Sequence, residues 1–203
     1  MQYATPRQAR GALNQVLSGC ACGAQLRQMV QQGALEPFGV ASALDVSMMD
    51  RVPDSLLCRW WALIHQAGMG PMEAGGRFGL GAALITDLVR VQSLYQMGPA
   101  RDLAPLERQL CAELPFDCGE VLGTFAAVDP DYAAQPQLYR RLLLGASGDC
   151  RLAITTDQLL AAGVPECRLP RALNGLCRAV AREPKLNEPA ALAALVQTMQ
   201  QYW

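Results

Sequence analysis

Lysine and histidine are nearly absent from this sequence, since each occurs once among its 203 residues, as Lys185 and His65. A single histidine excludes an imidazole-based metal cluster, because such a cluster needs several histidines. The sequence also has no run of 18 apolar residues, which argues against a transmembrane helix. No apolar stretch follows the first arginines, so we predict no secretory signal and expect a cytoplasmic protein with no membrane partner.

Charged residues are scarce as well, at 17% of the chain against 51% apolar residues, and the formal net charge is -1. This composition excludes a disordered chain and argues against a protein that coats nucleic acid by charge alone. Strand patterns are nearly absent, and Ala, Leu, Gln and Arg recur between Gly and Pro residues. We predict an all-α fold, a multi-helix bundle of about ten to twelve short helices.

The segment most typical of a linker covers residues 145–149, where Gly, Ala, Ser and Asp follow one another. It predicts two units, a helical domain over 1–145 and a smaller helical domain over 146–203. Within the first unit, we expect a helix over about residues 42–50, and we expect Asp54 to cap the helix that follows.

The eight cysteines contain no CxxC motif, and the closest pair is Cys20 and Cys22. A chain of this length without a secretory signal has enough core to fold without disulfides. We therefore predict reduced structural thiols, with no metal and no cofactor bound in this chain.

Charge is unevenly distributed along the sequence. Residues 1–35 carry three arginines and no acid, residues 102–131 carry seven acids and one arginine, and residues 140–185 carry eight bases and four acids. The overall neutrality therefore conceals two basic ends around an acidic middle, which hints at an anionic partner.

The helix predicted over about residues 169–182 carries two opposite stripes. One stripe is apolar and comprises Leu169, Leu173, Leu176 and Val180. The other is polar and comprises Arg171, Asn174, Arg178 and Arg182. At about 100° per residue the two stripes are centred on nearly opposite faces. The polar stripe is interpreted either as a solvated face or as a ridge that binds the phosphates of an RNA backbone.

Three stretches of the chain, residues 5–39, 59–89 and 152–196, follow one another in a recognisable order. Together they resemble the bacterial CCA-adding tRNA nucleotidyltransferases, since the first is similar to the family's neck, the second to its body and the third to its tail. The tail pattern is matched most fully, by Asp157, Leu159, Gly163, Pro170, Leu173, Val180, Asn187 and Leu192. Two turns depart from the family, since Phe78-Gly79-Leu80-Gly81-Ala82 lacks the family's Lys and Arg168-Leu169-Pro170 replaces its Gly-Gly-Pro.

The resemblance implies that this portion grips the acceptor and TΨC side of tRNA during processing of the tRNA 3′ end. The family's catalytic head carries a Gly-Ser motif and a pair of metal-binding Asp residues, and this sequence contains neither. The resemblance therefore implies that Mg²⁺ and ATP or CTP belong to a head domain upstream, if the natural protein has one. It also implies that this chain is inactive alone.

The arginines of these segments are candidates for RNA binding, and no residue is a candidate for catalysis or metal binding. The RNA-binding candidates are Arg171, Asn174, Arg178, Arg182, Arg168, Arg7, Arg10 and Arg77. Two alternative functions remain. One is a helical protein-interaction or scaffold domain without an RNA role, for which a homodimer is a candidate assembly. The other is a degenerate HD-type domain, suggested by His65, although Gln66 follows it where the motif requires Asp.

Overall fold

The computed structural model describes residues 5–110, 117–144 and 152–200, which form helices and turns without a strand. The α-helices are α1 (Pro6–Leu17), α2 (Cys22–Gln31), α3 (Leu56–Gln66), α4 (Pro71–Phe78), α5 (Ala82–Gln96), α6 (Leu103–Leu110), α7 (Cys118–Val128), α8 (Gln135–Leu144), α9 (Thr156–Ala161), α10 (Leu169–Arg182) and α11 (Pro189–Gln200). Short 3-10 turns cover Glu36–Phe38, Ser47–Asp50, Pro130–Tyr132, Glu166–Arg168 and Pro184–Leu186. The predicted all-α multi-helix bundle is confirmed.

The helix α3 lies at the centre of the larger core. Seven consecutive residues from Cys58 to Ile64 are buried, because α1, α4, α5 and α7 surround this helix. The indole N–H of Trp60 donates to Asn14 Oδ1 at 2.8 Å, and that of Trp61 donates to Gln92 Oε1 at 3.0 Å. Both rings are thus buried with their polar atoms satisfied, which fixes α1 and α5 against α3.

Arg59 is a charged residue within this buried run, and it is 1% exposed. Its guanidinium donates to the carbonyl of Leu17 at 2.6 Å and to that of Gly19 at 2.8 Å, where α1 ends. It also pairs with Asp54 at 3.2 Å. The carbonyls at a helix C-terminus and a carboxylate together compensate the burial of this cation.

A second, smaller apolar cluster belongs to α9, α10, α11 and the segments around them. Its buried members are Ile154, Leu159, Val164, Leu169, Ala172, Leu176, Val180, Leu192 and Val196. The larger cluster includes residues from Ala9 to Leu142. The predicted domain boundary between residues 145 and 146 lies outside the described residues.

Two local predictions are wrong. The helix expected over residues 42–50 is reduced to the 3-10 turn Ser47–Asp50, which begins where Asp45 Oδ1 accepts from the Ser47 amide at 2.8 Å. An Asp side chain that bonds the backbone two residues ahead favours a turn over a continuing helix. The N-cap of α3 is Ser55 and not Asp54, because Asp54 is directed inward to Arg59.

Within the part of the chain that the structure describes, no helix has both the length and the apolar character needed to cross a bilayer.

Candidate functional site

The polar stripe of α10 is only partly open to solvent, because α10 packs through it against α7 and α8. The opposite stripe of α10 fills the smaller apolar cluster with Leu169, Leu176 and Val180. Both faces of α10 are therefore contact faces. We call Arg171, Asn174 and Arg178 the arginine face of α10.

Arg178 lies against the start of α7, where its guanidinium donates to Asp117 Oδ2 in an ion pair. Asp117 is also the N-cap of α7, since its Oδ1 accepts from the amides of Gly119 at 2.9 Å and Glu120 at 3.4 Å. One carboxylate thus begins α7 and attaches α10 to it.

Asn174 occupies the middle of the arginine face and is only 4% exposed. It packs directly on Gly119, where an added Cβ would lie 2.6 Å from Asn174 Cγ and 2.8 Å from Tyr139 Cε1. The absence of a side chain at Gly119 therefore allows α7 and α10 to approach closely.

Arg171 lies early in α10, with its Nε 3.6 Å from Glu120 Oε1. Burial raises the pKa of Glu120 to about 7, and the neighbouring Asp117 carboxylate contributes to the rise, whereas Arg171 and Arg178 oppose it. Glu120 is therefore a buried carboxyl that titrates near neutral pH.

Arg168 extends the same contact to the larger core. Its Nε lies 2.8 Å from Asp54 Oδ2, and Asp54 in turn pairs with the buried Arg59. A chain of charges thus connects the end of α1, through Arg59 and Asp54, to the start of α10. The backbone of Arg182 ends α10, and its side chain lies outside the described residues.

The remaining three candidates lie on other helices, where α1 meets the end of α4. Arg10 donates through its guanidinium to the carbonyl of Gly79, which follows α4. Arg77 is in the last turn of α4 and pairs with Glu73 at 2.8 Å, both side chains being about half exposed. Arg7 is exposed and shares a face of α1 with Arg10, three residues on.

Two glycines shape the backbone around these groups. Gly39 has a φ of 88°, and a Cβ there would lie 2.8 Å from Arg77 Cζ. Gly79 has a φ of 61° and turns the chain from α4 toward α5. Any other residue at either position would be strained in the left-handed conformation.

The helix α5 begins beside this surface and adds a partial positive charge. Its N-cap is Gly81, which offers no side-chain cap, and its first turn contains no acid. Both Ala82 and Ala83 are exposed, so the first amides of α5 are not covered by their own side chains. We call Arg7, Arg10, Arg77 and the start of α5 the N-terminal basic surface.

The sequence identifies the arginines but not the carboxylates that meet them. Asp117 carries a detectable signal, because an Asp before a Gly-containing helix start is typical of an N-cap. Nothing in the local sequence shows that Asp54 or Glu120 meets an arginine, since these contacts depend on which helix packs beside them.

His65 is enclosed by aromatic rings, at a centroid distance of 4.6 Å from Trp61 and 4.8 Å from Tyr95. Burial lowers its pKa. Among residues 5–110, 117–144 and 152–200, no group of three His, Cys, Asp or Glu side chains is arranged to hold a metal ion. Nothing in this geometry favours the HD-type alternative.

Five cysteines whose side chains the structure describes are free thiols, namely Cys20, Cys22, Cys58, Cys118 and Cys177. Burial raises the pKa of most of them. It raises the pKa of Cys22 to about 11, that of Cys58 to about 12 and that of Cys118 to about 11. A raised pKa disfavours the thiolate, which is the nucleophilic and metal-binding form.

No protein-family model, curated protein or solved structure matches this chain.

Proposed function

We propose that this chain is the tRNA-binding C-terminal region of a CCA-adding tRNA nucleotidyltransferase, which acts in tRNA 3′-end processing and is not catalytic alone. The N-terminal basic surface is the observation that carries the proposal. Three arginines and the start of a helix meet there, and Glu73 is the one acid among the described residues that pairs with any of them. Guanidiniums and free helix amides are both suited to phosphate.

The local character of this surface agrees with the composition of the chain. A net charge of -1 excludes binding by charge over the whole surface, so affinity must come from a confined patch. The arginines contact phosphates and set the orientation of the RNA, while the shape of the helix bundle selects the tRNA arm.

In this proposal the chain contributes binding and orientation, and the chemistry belongs to the head domain that the resemblance implies. Mg²⁺ and the nucleotide substrates would be held there. The cytoplasm is the compartment that such a role requires.

The test measures binding of an acceptor–TΨC minihelix and an anticodon-arm hairpin of equal length, at low and at physiological NaCl concentration. We expect the minihelix to bind more tightly, with an affinity that falls as salt rises. Replacing Arg7 and Arg10 by Ala should weaken binding at both salts. It should also reduce the salt slope by about one for each phosphate that is no longer neutralised.

Arg108→Ala is the matched control, because Arg108 is exposed on α6, a helix that contributes no residue to the basic surface. It should leave the affinity nearly unchanged. Equal binding of both hairpins, or equal effects of the control and the Arg7/Arg10 variant, would contradict the proposal.

A second candidate, a protein-interaction domain, is favoured by one observation. Met72 on α4 is 71% exposed, and Val89 on the neighbouring α5 is also exposed. Ile85 packs on Gly75 where the two helices meet. A tight homodimer without RNA affinity in sedimentation velocity would favour this function over the first.

A further inference from the structure

The contact between α10 and α7 joins two apolar clusters through charged side chains. The smaller cluster is on one side of α10, and α7 belongs to the larger one. Asp117, at the start of α7, meets Arg178, late in α10, and Glu120, a turn later, meets Arg171, early in α10. The two helices therefore run in opposite directions with their charges in register.

The two carboxylates form ion pairs with Arg171 and Arg178, the guanidiniums for which the sequence predicts phosphate binding. Asp117 and Glu120 are three residues apart at the start of α7, so their oxygens project from one face. A carboxylate and a phosphate present similar acceptor oxygens to a guanidinium, and Arg binds both. While this contact holds, the charges of Arg171 and Arg178 are compensated, which weakens the attraction of the arginine face of α10 for another anion.

We propose that this contact is an autoinhibitory latch, in which Asp117 and Glu120 cover the arginine face of α10 until an RNA backbone displaces them. The inference rests on the proposed function for the identity of the displacing anion.

The exposure of the two guanidiniums makes such an exchange feasible. The side chains of Arg171 and Arg178 are 45% and 42% exposed, so solvent and ions reach them, whereas those of Glu120 and Asp117 are only 11% and 12% exposed. Because one member of each pair is open to solvent, salt weakens the attraction between them. The pair of Arg59 with Asp54 is almost fully buried, and we expect it to persist when the latch opens.

Glu120 adds a reason for the latch to be only moderately strong. Burial and the adjacent Asp117 raise its pKa to about 7, so the ionised form of Glu120 is less stable in this contact than it is in water. A ligand phosphate that replaces it releases this carboxylate toward water.

The test compares the wild type with Asp117→Asn and Glu120→Gln, singly and together. Asn retains the oxygen that caps α7, so Asp117→Asn removes the charge and keeps the helix start. We expect the double variant to bind the minihelix roughly two- to fivefold more tightly, the range that the free energies of partly exposed ion pairs permit. Asp131→Asn is the control, because it removes one exposed acid that lies outside the contact with α10.

Hydrogen exchange supplies the second readout. Amides in α10 and the first turn of α7 should exchange faster at high than at low NaCl concentration, and faster in the double variant than in Asp131→Asn. Adding the minihelix to the wild type should also accelerate exchange in the first turn of α7. Circular dichroism confirms that each variant is folded.

The outcomes separate the two proposals. If the minihelix binds but the double variant binds no more tightly than Asp131→Asn, the latch is wrong and RNA binding stands. If neither protein binds RNA, the proposed function is wrong, and an RNA-displaced latch falls with it. Exchange in α10 that responds to neither salt nor substitution would overturn an ionic latch in either case.

Discussion

Glu120 alone should make the free energy of unfolding depend on pH. Its folded-state pKa, raised to about 7 by burial, exceeds the ordinary value of 4.5. The folded protein thus binds this proton more tightly than the unfolded chain does. The resulting stability is complete below pH 4.5 and is lost as the pH rises through about 7. Between about pH 5.5 and 8, we expect the wild type to lose about 2 kcal/mol relative to Glu120→Gln.

Urea unfolding of both proteins at the two pH values measures this difference. Other groups titrate in the same range, but they are common to both proteins and cancel. The charged groups that face Glu120 are Asp117, Arg171, Arg178 and Asp54. Glu107→Gln on the exposed side of α6 should show the pH dependence of the wild type, and a Glu120→Gln protein that does so too would refute the assignment.

At the scale of helix pairs, Gly119 sets the separation of α7 and α10. An added methyl group would lie 2.6 Å from Asn174 Cγ and 2.8 Å from Tyr139 Cε1, and both neighbours are buried. Ala is the better helix former, by up to about 1 kcal/mol, but the overlap must push the helices apart. We therefore expect Gly119→Ala to destabilise the protein by roughly 1–3 kcal/mol in urea unfolding.

Gly11→Ala on α1 is the matched substitution without the overlap. Gly11 is exposed, and nothing among the described residues lies within 4 Å of a Cβ placed there. It should stabilise the protein by about 0.5–1 kcal/mol, because only the helix propensity changes. If both glycines responded alike, close packing at Gly119 would not be the reason for its presence.

The helix α10 shows how much of an element periodicity can predict at this scale. Its length and its two stripes follow from periodicity, and the helix begins and ends as predicted. What periodicity cannot show is whether a polar stripe meets water or a complementary surface. Arg171 and Arg178 have the same spacing in either case, and the carboxylates that meet them lie about 50 to 60 residues away in sequence.

Side-chain chemistry that competes with a helix is the second limit on predicting elements from the sequence. The residue types over 42–50 favour a helix, but the Asp45 side chain bonds the Ser47 amide and produces a turn. Asp54 likewise has a cap residue's type and place, yet it pairs with the buried Arg59, whose charge needs a partner. Both errors arise where a side-chain partner outside the pattern determines the backbone or the rotamer.

At the scale of the whole molecule, part of the charge asymmetry of the sequence becomes an internal contact. The acidic middle supplies Asp117 and Glu120, and the basic C-terminal part supplies Arg171 and Arg178. On the N-terminal basic surface, by contrast, Glu73 is the only acid among the described residues that forms an ion pair. The two basic parts of the molecule therefore differ, since both arginines of the first pair with acids of another helix, whereas on the second surface only Arg77 pairs with an acid, and that acid belongs to its own helix.

Two apolar clusters joined by a polar contact should unfold together only while that contact is strong. The Debye length shrinks to about 3 Å at 1 M salt, which weakens the partly exposed ion pairs between α7 and α10. We expect urea unfolding to be one transition at low salt and two at high salt, with the smaller cluster unfolding first. Fluorescence of Trp60 and Trp61, measured in a Trp203→Phe protein, follows the larger cluster, while circular dichroism follows all helices. Coincident curves from the two probes at both salts would mean that apolar packing, and not the ion pairs, joins the two clusters.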